Sequence, residues 1–89
     1  MLERELTVSN RLGLHARATA KLVQAVAPFR SSVTLAAKGR EVNAKSIMGV
    51  MLLAAAQGTQ VTVRVEGEDE QDAMQAIADL FDRRFDEDA

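Results

Sequence analysis

The stretch TQVTVRVEG, residues 59–67, contains a regular alternation of apolar and polar side chains. In an extended chain Val61, Val63 and Val65 lie on one face, and the polar residues between them lie on the other. This alternation predicts a strand with one buried face and one solvated face. Sheets made of such strands are usually antiparallel, because helices cover both faces of parallel sheets.

Three further strands are predicted upstream of this one. Residues 2–9, LERELTVS, place Leu2, Leu6 and Val8 on one face of a first strand. Residues 32–43, SVTLAAKGREVN, predict a hairpin that turns at Lys38-Gly39. All of these strands are short, as expected for a small sheet.

Helix patterns fill the segments between the strands. They cover residues 16–27, a segment from Ser46 that ends at Gly58, and a segment that begins within EGEDEQD and ends near Arg84. The apolar stripes of the first and last helices are Ala18, Leu22, Ala25 and Phe29, and Ala73, Ile77, Leu80 and Phe81. The order of elements, βαββαβα, predicts an α+β fold with helices on one face of an antiparallel sheet.

The length and composition predict one soluble domain. The chain has 89 residues, of which 47% are hydrophobic and 27% charged, so residues 1–89 suffice for a single core. We expect residues 85–89 to be a frayed tail. The absence of cysteine excludes disulfides and thiolate sites, and no apolar run approaches the roughly 20 residues of a membrane span. A cytoplasmic location without membrane insertion follows.

The charges are divided unevenly along the chain. Residues 1–45 carry eight Lys/Arg and three Asp/Glu (+5), whereas residues 46–89 carry three and ten (−7), which together give the net charge of −2. The basic half has no block of Lys/Arg and no interleaved aromatic residues, so nucleic acid is not the expected partner. A small anion or an acidic protein surface fits this charge better.

The stretch GLHARAT, residues 13–19, holds the only histidine, His15, at the junction of a loop and the first predicted helix. The N–H groups that begin a helix lack partners within it and attract phosphate, and Arg17 adds a charged fork in the same turn. A neutral imidazole is also a nucleophile. From the spacing alone, a capping histidine beside a solvated arginine remains the simpler interpretation. One histidine and no cysteine provide too few ligands for a metal site, and no cofactor motif is present.

GLHARAT together with NAKSIMGVM, residues 43–51, resembles the HPr family of histidine-containing phosphocarriers, from the bacterial phosphoenolpyruvate-dependent phosphotransferase system. The resemblance spans essentially the whole chain. It implies an open-faced β-sandwich with strand order 1-4-2-3 and three helices on one face. It also implies a phosphoryl carrier, not an enzyme, in which His15 accepts the phosphoryl group on Nδ1 from enzyme I and passes it to A-type domains of enzyme II.

By the same resemblance, Arg17 stabilises the phosphate, while Gly13, Ala16 and Ala18 form the supporting loop and helix N-terminus. The family usually has proline where this chain has Ala18. Since proline pre-sets the helical φ, we expect slightly lower rigidity there, with the chemistry retained. This departure leaves open whether the chain serves the sugar system or its nitrogen-regulatory paralogue, NPr.

Ser46 is a second candidate site. As a helix cap it contributes about 1 kcal/mol relative to alanine. The family resemblance implies that it is also the regulatory serine phosphorylated by HPr kinase/phosphorylase. The following helix is apolar on nearly all sides, so some side chains are expected to bind partners instead of filling the core. The proposed partner-binding residues are Arg11, Lys21, Lys45, Ile47 and Met48, and Met51 is left open.

Three functions are consistent with these motifs: a sugar-system carrier, the nitrogen-type carrier, and a non-catalytic interaction module controlled through Ser46. The intact His15 and Arg17 favour a carrier over the interaction module. KSIMGVM favours the sugar-system form, with which serine control is associated. A carrier that presents one face to successive partners is expected to be a monomer.

Overall fold

The structure, a computed structural model, describes residues 1–87. Its elements are β1 (Leu2–Thr7), α1 (Ala16–Val26), β2 (Ser32–Ala37), β3 (Arg40–Asn43), α2 (Ile47–Leu53), β4 (Gln60–Glu66) and α3 (Glu70–Asp82), followed by the C-terminal turn (Arg84–Asp86). The four strands form one antiparallel sheet in the order β1-β4-β2-β3, with the three helices packed on one face. The predicted fold class, element order and strand order are confirmed.

The strand β4 lies in the middle of the sheet, between β1 and β2. Val61, Val63 and Val65 are fully buried, as their alternation predicts, and the polar residues between them lie on the solvated face. Burying a valine side chain completely contributes roughly 1.5–3 kcal/mol. These three residues therefore supply the centre of the core on which the helices pack.

The hairpin between β2 and β3 turns where the sequence predicts. Ala37 pairs with Arg40, so Lys38 and Gly39 are the two loop residues. Both have positive φ, 53° and 76°, as a type I′ hairpin turn requires. Lysine rarely adopts this conformation, which explains why the turn signal in the sequence is weaker than that of Asn-Gly.

The helix α1 begins at Ala16 and ends at Val26, just before Ala27-Pro28. Its fully buried residues are Ala18, Thr19, Leu22 and Val26, while Ala25 and Phe29 are only partly buried.

The helix α3 buries Ala73, Ile77, Leu80 and Phe81, which confirms the predicted stripe. The core is therefore mainly aliphatic, with aromatic rings at the α3 side.

The helix α2 is shorter than predicted: it ends at Leu53, whereas the sequence predicted an end at Gly58. Ala54 adopts a left-handed conformation with φ of 50°, and the chain then turns towards α1. The carbonyl of Ala55 accepts the Leu14 N–H at 2.8 Å. The hairpin also contributes, since Arg40 donates to the Leu52 carbonyl and Lys38 to the Ala54 carbonyl, both at 3.1 Å. Tertiary contacts thus satisfy the last carbonyls of α2 and end the helix early.

The C-terminal segment also differs from prediction, because residues 85–87 are not a frayed tail. Phe85 is fully buried, and its ring centroid lies 5.0 Å from that of Phe81. The sequence gives little sign of this, since the aromatic residue stands among charged ones. Residues 88–89 of the expected tail lie outside the described residues.

The loop that precedes α1 lies against the chain that leaves α2. Gly13 has a φ of +69°, and a Cβ at this position would lie 2.5 Å from the carbonyl oxygen of Ala55. The Gly13 N–H bonds the Asn10 carbonyl at 3.1 Å and closes the turn. A glycine is therefore required here both for the backbone conformation and for the close approach.

Asp69 connects the beginning of α3 with the beginning of β2. Its carboxylate accepts hydrogen bonds from the Arg30 N–H at 2.9 Å, from the Ser31 N–H at 3.0 Å and from the Ser31 hydroxyl. These bonds, the hydroxyl bond first, lower the pKa of Asp69 to about 2. The ionised carboxylate thus stabilises the junction of the two elements.

Replacing Gly13 by alanine is expected to destabilise the fold by about 2–4 kcal/mol, because the methyl group adds a backbone clash to the cost of positive φ. The matched control is Gly39→Ala, where φ is +76° but no atom lies within 4 Å of the added Cβ. This control should lose only about 1 kcal/mol. Urea unfolding measures both, and equal losses would contradict the close approach at Gly13.

Asp69→Asn is expected to lower the free energy of unfolding at neutral pH, because an amide cannot replace the charged acceptor. The folded-state pKa, about 2, lies below the ordinary value of 3.8, so this contribution is present above pH 3.8 and is lost as the pH falls through about 2. Denaturant unfolding at several pH values should show the two proteins converging in acid. Asp72→Asn, an exposed carboxylate in the same helical turn, serves as control. A pH-independent difference would contradict the role of the charge.

Candidate functional site

His15 is the N-cap residue of α1. Its backbone is extended, with φ of −76° and ψ of −178°, and its Nδ1 atom accepts the Arg17 N–H at 3.3 Å. The His15 carbonyl accepts the Thr19 N–H at 2.8 Å, and the buried Thr19 hydroxyl bonds the Leu14 carbonyl at 3.1 Å. The imidazole therefore lies at the positive end of the helix, on a rigid backbone, with 27% of its side chain exposed.

The second ring nitrogen of His15 faces a carboxylate. Nε2 lies 2.6 Å from Oε2 of Glu87, and the other oxygen of Glu87 accepts a hydrogen bond from the Asn10 amide at 3.0 Å. Nδ1 acts as an acceptor and Nε2 faces an acceptor, so this hydrogen-bond pattern assigns the ring proton to Nε2. The lone pair of the neutral ring then lies at Nδ1, the atom that points towards the helix N-terminus.

The surroundings of Glu87 favour its ionised form. The hydrogen bond from the Asn10 amide is the main cause that lowers the pKa of Glu87, and the hydrogen bond from His15 and the positive charge of Arg17 lower it further. Burial of the side chain opposes this change and raises the pKa, but the favourable interactions exceed it. The Glu87 side chain next to the imidazole is therefore an ionised carboxylate at neutral pH.

Asn10 joins the loop to this carboxylate. Its side chain is fully buried, and its amide nitrogen donates to the Gly13 carbonyl at 2.8 Å and to Glu87. Both acceptors face the nitrogen, which determines the orientation of the amide group. The Asn10 side-chain carbonyl oxygen is buried and has no hydrogen-bond partner among residues 1–87. The amide thus links the His15 loop to the C-terminal segment.

The sequence patterns predicted a site role for neither Asn10 nor Glu87. Glu87 lies 72 positions from His15 and within an acidic segment that resembles a solvated tail. Asn10 gave a weak signal, because a loop asparagine next to the histidine motif is usually a turn residue. Only the packing of the C-terminal turn brings these groups to the imidazole.

The remaining residues predicted around the histidine lie where the sequence places them. Arg17 is exposed in the first turn of α1, and within residues 1–87 its guanidinium makes no hydrogen bond or ion pair. Ala16 is exposed and Ala18 is fully buried in the core. The guanidinium is therefore free to meet an anion bound at the helix N-terminus.

The three basic residues predicted to bind partners have different surroundings. Lys21 donates to the Phe85 carbonyl at 2.9 Å and contacts Asp86 at 3.5 Å, so it holds the C-terminal turn. Lys45 donates to the Phe29 carbonyl at 2.6 Å. Arg11 is exposed on the loop before His15. Two of the three cations thus have structural partners that the sequence did not indicate.

Ser46 is the N-cap residue of α2, as predicted. Its hydroxyl oxygen accepts the Gly49 N–H at 3.0 Å, and the side chain is exposed. A phosphate on this oxygen would lie at the N-terminus of α2, where the free N–H groups of the first turn favour negative charge. The position is therefore both a cap and an accessible hydroxyl.

The helix α2 presents an apolar surface to solvent, which we call the α2 patch. It consists of four exposed side chains: Ile47 (49% exposed), Met48 (77%), Met51 (44%) and Leu52 (61%). Only Val50 and Leu53 of this helix are buried in the core. Ile47 and Met48 are exposed as predicted, Met51 joins them, and Leu52 was missed. Because α2 packs against α1, the α2 patch adjoins the helix that carries His15.

Neither a metal-binding cluster nor a membrane-spanning helix is found within residues 1–87. No group of three or more His, Cys, Asp or Glu side chains within residues 1–87 is arranged to hold a metal ion. Among the helices of the same residues, none combines the length and the apolar character that crossing a bilayer requires.

Known proteins similar to this chain identify its family. The sequence model of the family described as "PTS HPr component phosphorylation site" matches residues 2–83. Phosphocarrier protein HPr from Xylella fastidiosa strain Temecula1 is 70% identical over 88 residues, which cover 99% of both chains. The corresponding protein from Cupriavidus necator is 54% identical over 87 residues, 98% of both chains.

Solved structures share the fold as well. A crystal structure of HPr from Thermoanaerobacter tengcongensis has a TM-score of 0.96 at 40% identity, over 100% of both chains. Crh from Bacillus subtilis, crystallised as a swapped dimer, has a TM-score of 0.75 at 43% identity, over 94% of this chain and 97% of its own. The chain therefore belongs to the HPr family of the phosphotransferase system, and it is a phosphocarrier, not an enzyme.

Proposed function

We propose that His15 carries the phosphoryl group, accepting it at Nδ1 from phosphoenolpyruvate-charged enzyme I and passing it to A-type domains of enzyme II. The observation that supports this role is the position of the imidazole: Nε2 faces Glu87 at 2.6 Å, while Nδ1 lies at the N-terminus of α1. The atom with the free lone pair is then the one nearest the groups that bind anions.

The first turn of α1 stabilises the transferred group. When Nδ1 attacks phosphorus, the bond to the donor atom breaks and its electron pair stays with the donor. The Arg17 N–H bond to Nδ1, at 3.3 Å, is long and is given up for a phosphate oxygen. The Arg17 guanidinium adds a bidentate contact to the phosphate, and the helix N-terminus adds favourable dipoles.

The α2 patch is the proposed docking surface for the phosphotransfer partners. Ile47 and Met48 contribute the exposed apolar contacts, and Met51 and Leu52 extend them. Methionine side chains adapt to differently shaped partners, which suits a carrier that binds several proteins in turn. Arg11 and Lys21 provide positive charge near His15 for acidic partner surfaces. Lys45 does not extend this charge to His15 as predicted, because it contacts the Phe29 carbonyl beyond the other end of α1, and its charge lies instead beside Ser46 at the start of α2.

Residues 1–89 are proposed to act as one cytoplasmic domain. The carrier is proposed to be a monomer, because His15 and the α2 patch must be available to each partner. The related Crh structure is a swapped dimer, so a dimer is compatible with this fold. The nitrogen-type relay would use the same His15 chemistry, and the identity of the enzyme II acceptor distinguishes it from the sugar system.

Ser46 is the proposed regulatory site, modified by HPr kinase/phosphorylase. A phosphoserine adds a charge of about −1.5 to −2 next to the α2 patch. This charge lies on the docking surface and repels acidic partner groups, while the fold tolerates it at a helix N-terminus. Phosphorylation of Ser46 would then reduce transfer to His15 without unfolding the carrier.

Incubation with phosphoenolpyruvate, Mg²⁺ and enzyme I is expected to add one acid-labile phosphoryl group to the protein. His15→Ala should take up none, because it lacks the nucleophile. Intact mass spectrometry before and after mild acid measures the modification. A wild-type protein that stays unmodified with several active enzymes I would contradict the carrier role and favour the interaction module.

Ser46→Asp is expected to raise the KM of enzyme I for this carrier about 10-fold, because a negative charge enters the docking surface. Stability should change little, since aspartate caps a helix as well as serine does. The control is Gln71→Glu, which adds one charge to the exposed face of the first turn of α3, a helix whose main contacts are with α1, β1, β4 and the C-terminal turn and not with α2. Steady-state phosphorylation rates measure both, and equal KM values for the two variants would contradict control through Ser46.

A further inference from the structure

The C-terminal turn brings Glu87 to the imidazole through an unusual backbone. Arg84, Phe85 and Asp86 all have positive φ, 55°, 55° and 62°, which is a left-handed conformation in three successive non-glycine residues. Such a backbone persists only where tertiary contacts determine it. Connecting α3 to the following residues does not require this backbone. Its position next to the candidate site therefore suggests a role in the site.

Two sets of contacts hold this turn in place. Phe85 is fully buried beside Phe81, and Lys21 of α1 donates to the Phe85 carbonyl at 2.9 Å. Beyond the turn, Asn10 from the His15 loop donates to Glu87 at 3.0 Å. Helix α1 and the loop before it thus both hold the C-terminal segment, whose Glu87 contacts His15.

We propose that Glu87 is a positioning residue for phosphoryl transfer, which holds the His15 ring in the orientation and tautomer that present the Nδ1 lone pair. This inference rests on the proposed function of His15. The carboxylate accepts Nε2–H at 2.6 Å, so the proton stays on Nε2 and rotation of the ring would break this bond. Nε2, blocked by Glu87, is not available as an acceptor of the phosphoryl group.

The carboxylate also compensates charge during the transfer. When the Nδ1 lone pair forms the bond to phosphorus, the ring keeps its Nε2 proton and gains positive charge. The donor atom keeps the electron pair of the broken bond. The Glu87 carboxylate faces this charge directly, in the way that an aspartate stabilises the imidazolium of a hydrolase triad. Its effect is therefore larger in the transition state than in the resting carrier.

The first test is the tautomer of His15, measured by long-range ¹H–¹⁵N NMR of the imidazole at a pH where the ring is neutral. Wild-type protein should show the proton almost entirely on Nε2. Glu87→Ala should show an increased fraction of the other tautomer and a more mobile ring. Identical spectra for the two proteins would overturn the proposal. This measurement needs no partner protein, so it is independent of the proposed function.

The second test is the rate of phosphorylation by enzyme I. Glu87→Ala should lower the maximal rate about 10-fold, by analogy with the lower end of the losses seen when the hydrogen-bond partner of a metal-bound histidine is removed. The KM should stay unchanged, because Glu87 is not part of the α2 patch. The matched control is Asp86→Asn, which removes the neighbouring carboxylate that contacts Lys21 and Arg83, and asparagine tolerates the left-handed backbone.

The outcomes separate this role from the carrier function itself. A wild-type protein that takes up no phosphate would overturn both proposals. If wild-type and Glu87→Ala proteins take up phosphate at the same rate, only the role of Glu87 is overturned. A raised KM with an unchanged maximal rate would assign Glu87 to docking and would likewise overturn the positioning role, as would an equal loss in Asp86→Asn.

Discussion

The candidate site depends on the close approach of two backbone segments, the loop before α1 and the chain that leaves α2. Gly13 permits this approach, since a Cβ there would lie 2.5 Å from the Ala55 carbonyl oxygen, and the Leu14 N–H bonds the same carbonyl at 2.8 Å. The contact holds the loop that leads into α1 against the chain that leaves α2. It therefore brings the N-terminus of α1, with the imidazole, next to the helix that carries the α2 patch.

The imidazole itself is held between a positive and a negative environment. The N-terminus of α1 and Arg17 lie on the side of Nδ1, and the Glu87 carboxylate lies 2.6 Å from Nε2. An anion is stabilised on the first side, and a positive charge on the ring is stabilised on the second. This arrangement suits the role proposed for His15 as the phosphoryl acceptor, because neither charge is left without compensation.

The network around the histidine unites distant parts of the chain. Asn10 joins the loop to Glu87, and Lys21 joins α1 to the C-terminal turn. The basic first half and the acidic second half of the sequence thus meet at the site, as the contact of Lys21 with Asp86 illustrates. Part of the uneven charge distribution therefore also serves the fold.

Local periodicity and helix-end residues were enough to predict the fold class, the order of elements, the inward face of β4 and the helix starts at His15 and Ser46. The apolar character of α2 on nearly all sides also indicated that Ile47 and Met48 are exposed. The early end of α2, the ordered C-terminal turn and the contact of His15 with Glu87, which Asn10 supports, became visible only in the folded structure. These features arise from contacts between residues far apart in the chain, and local patterns carry no information about which distant groups the packed core brings together.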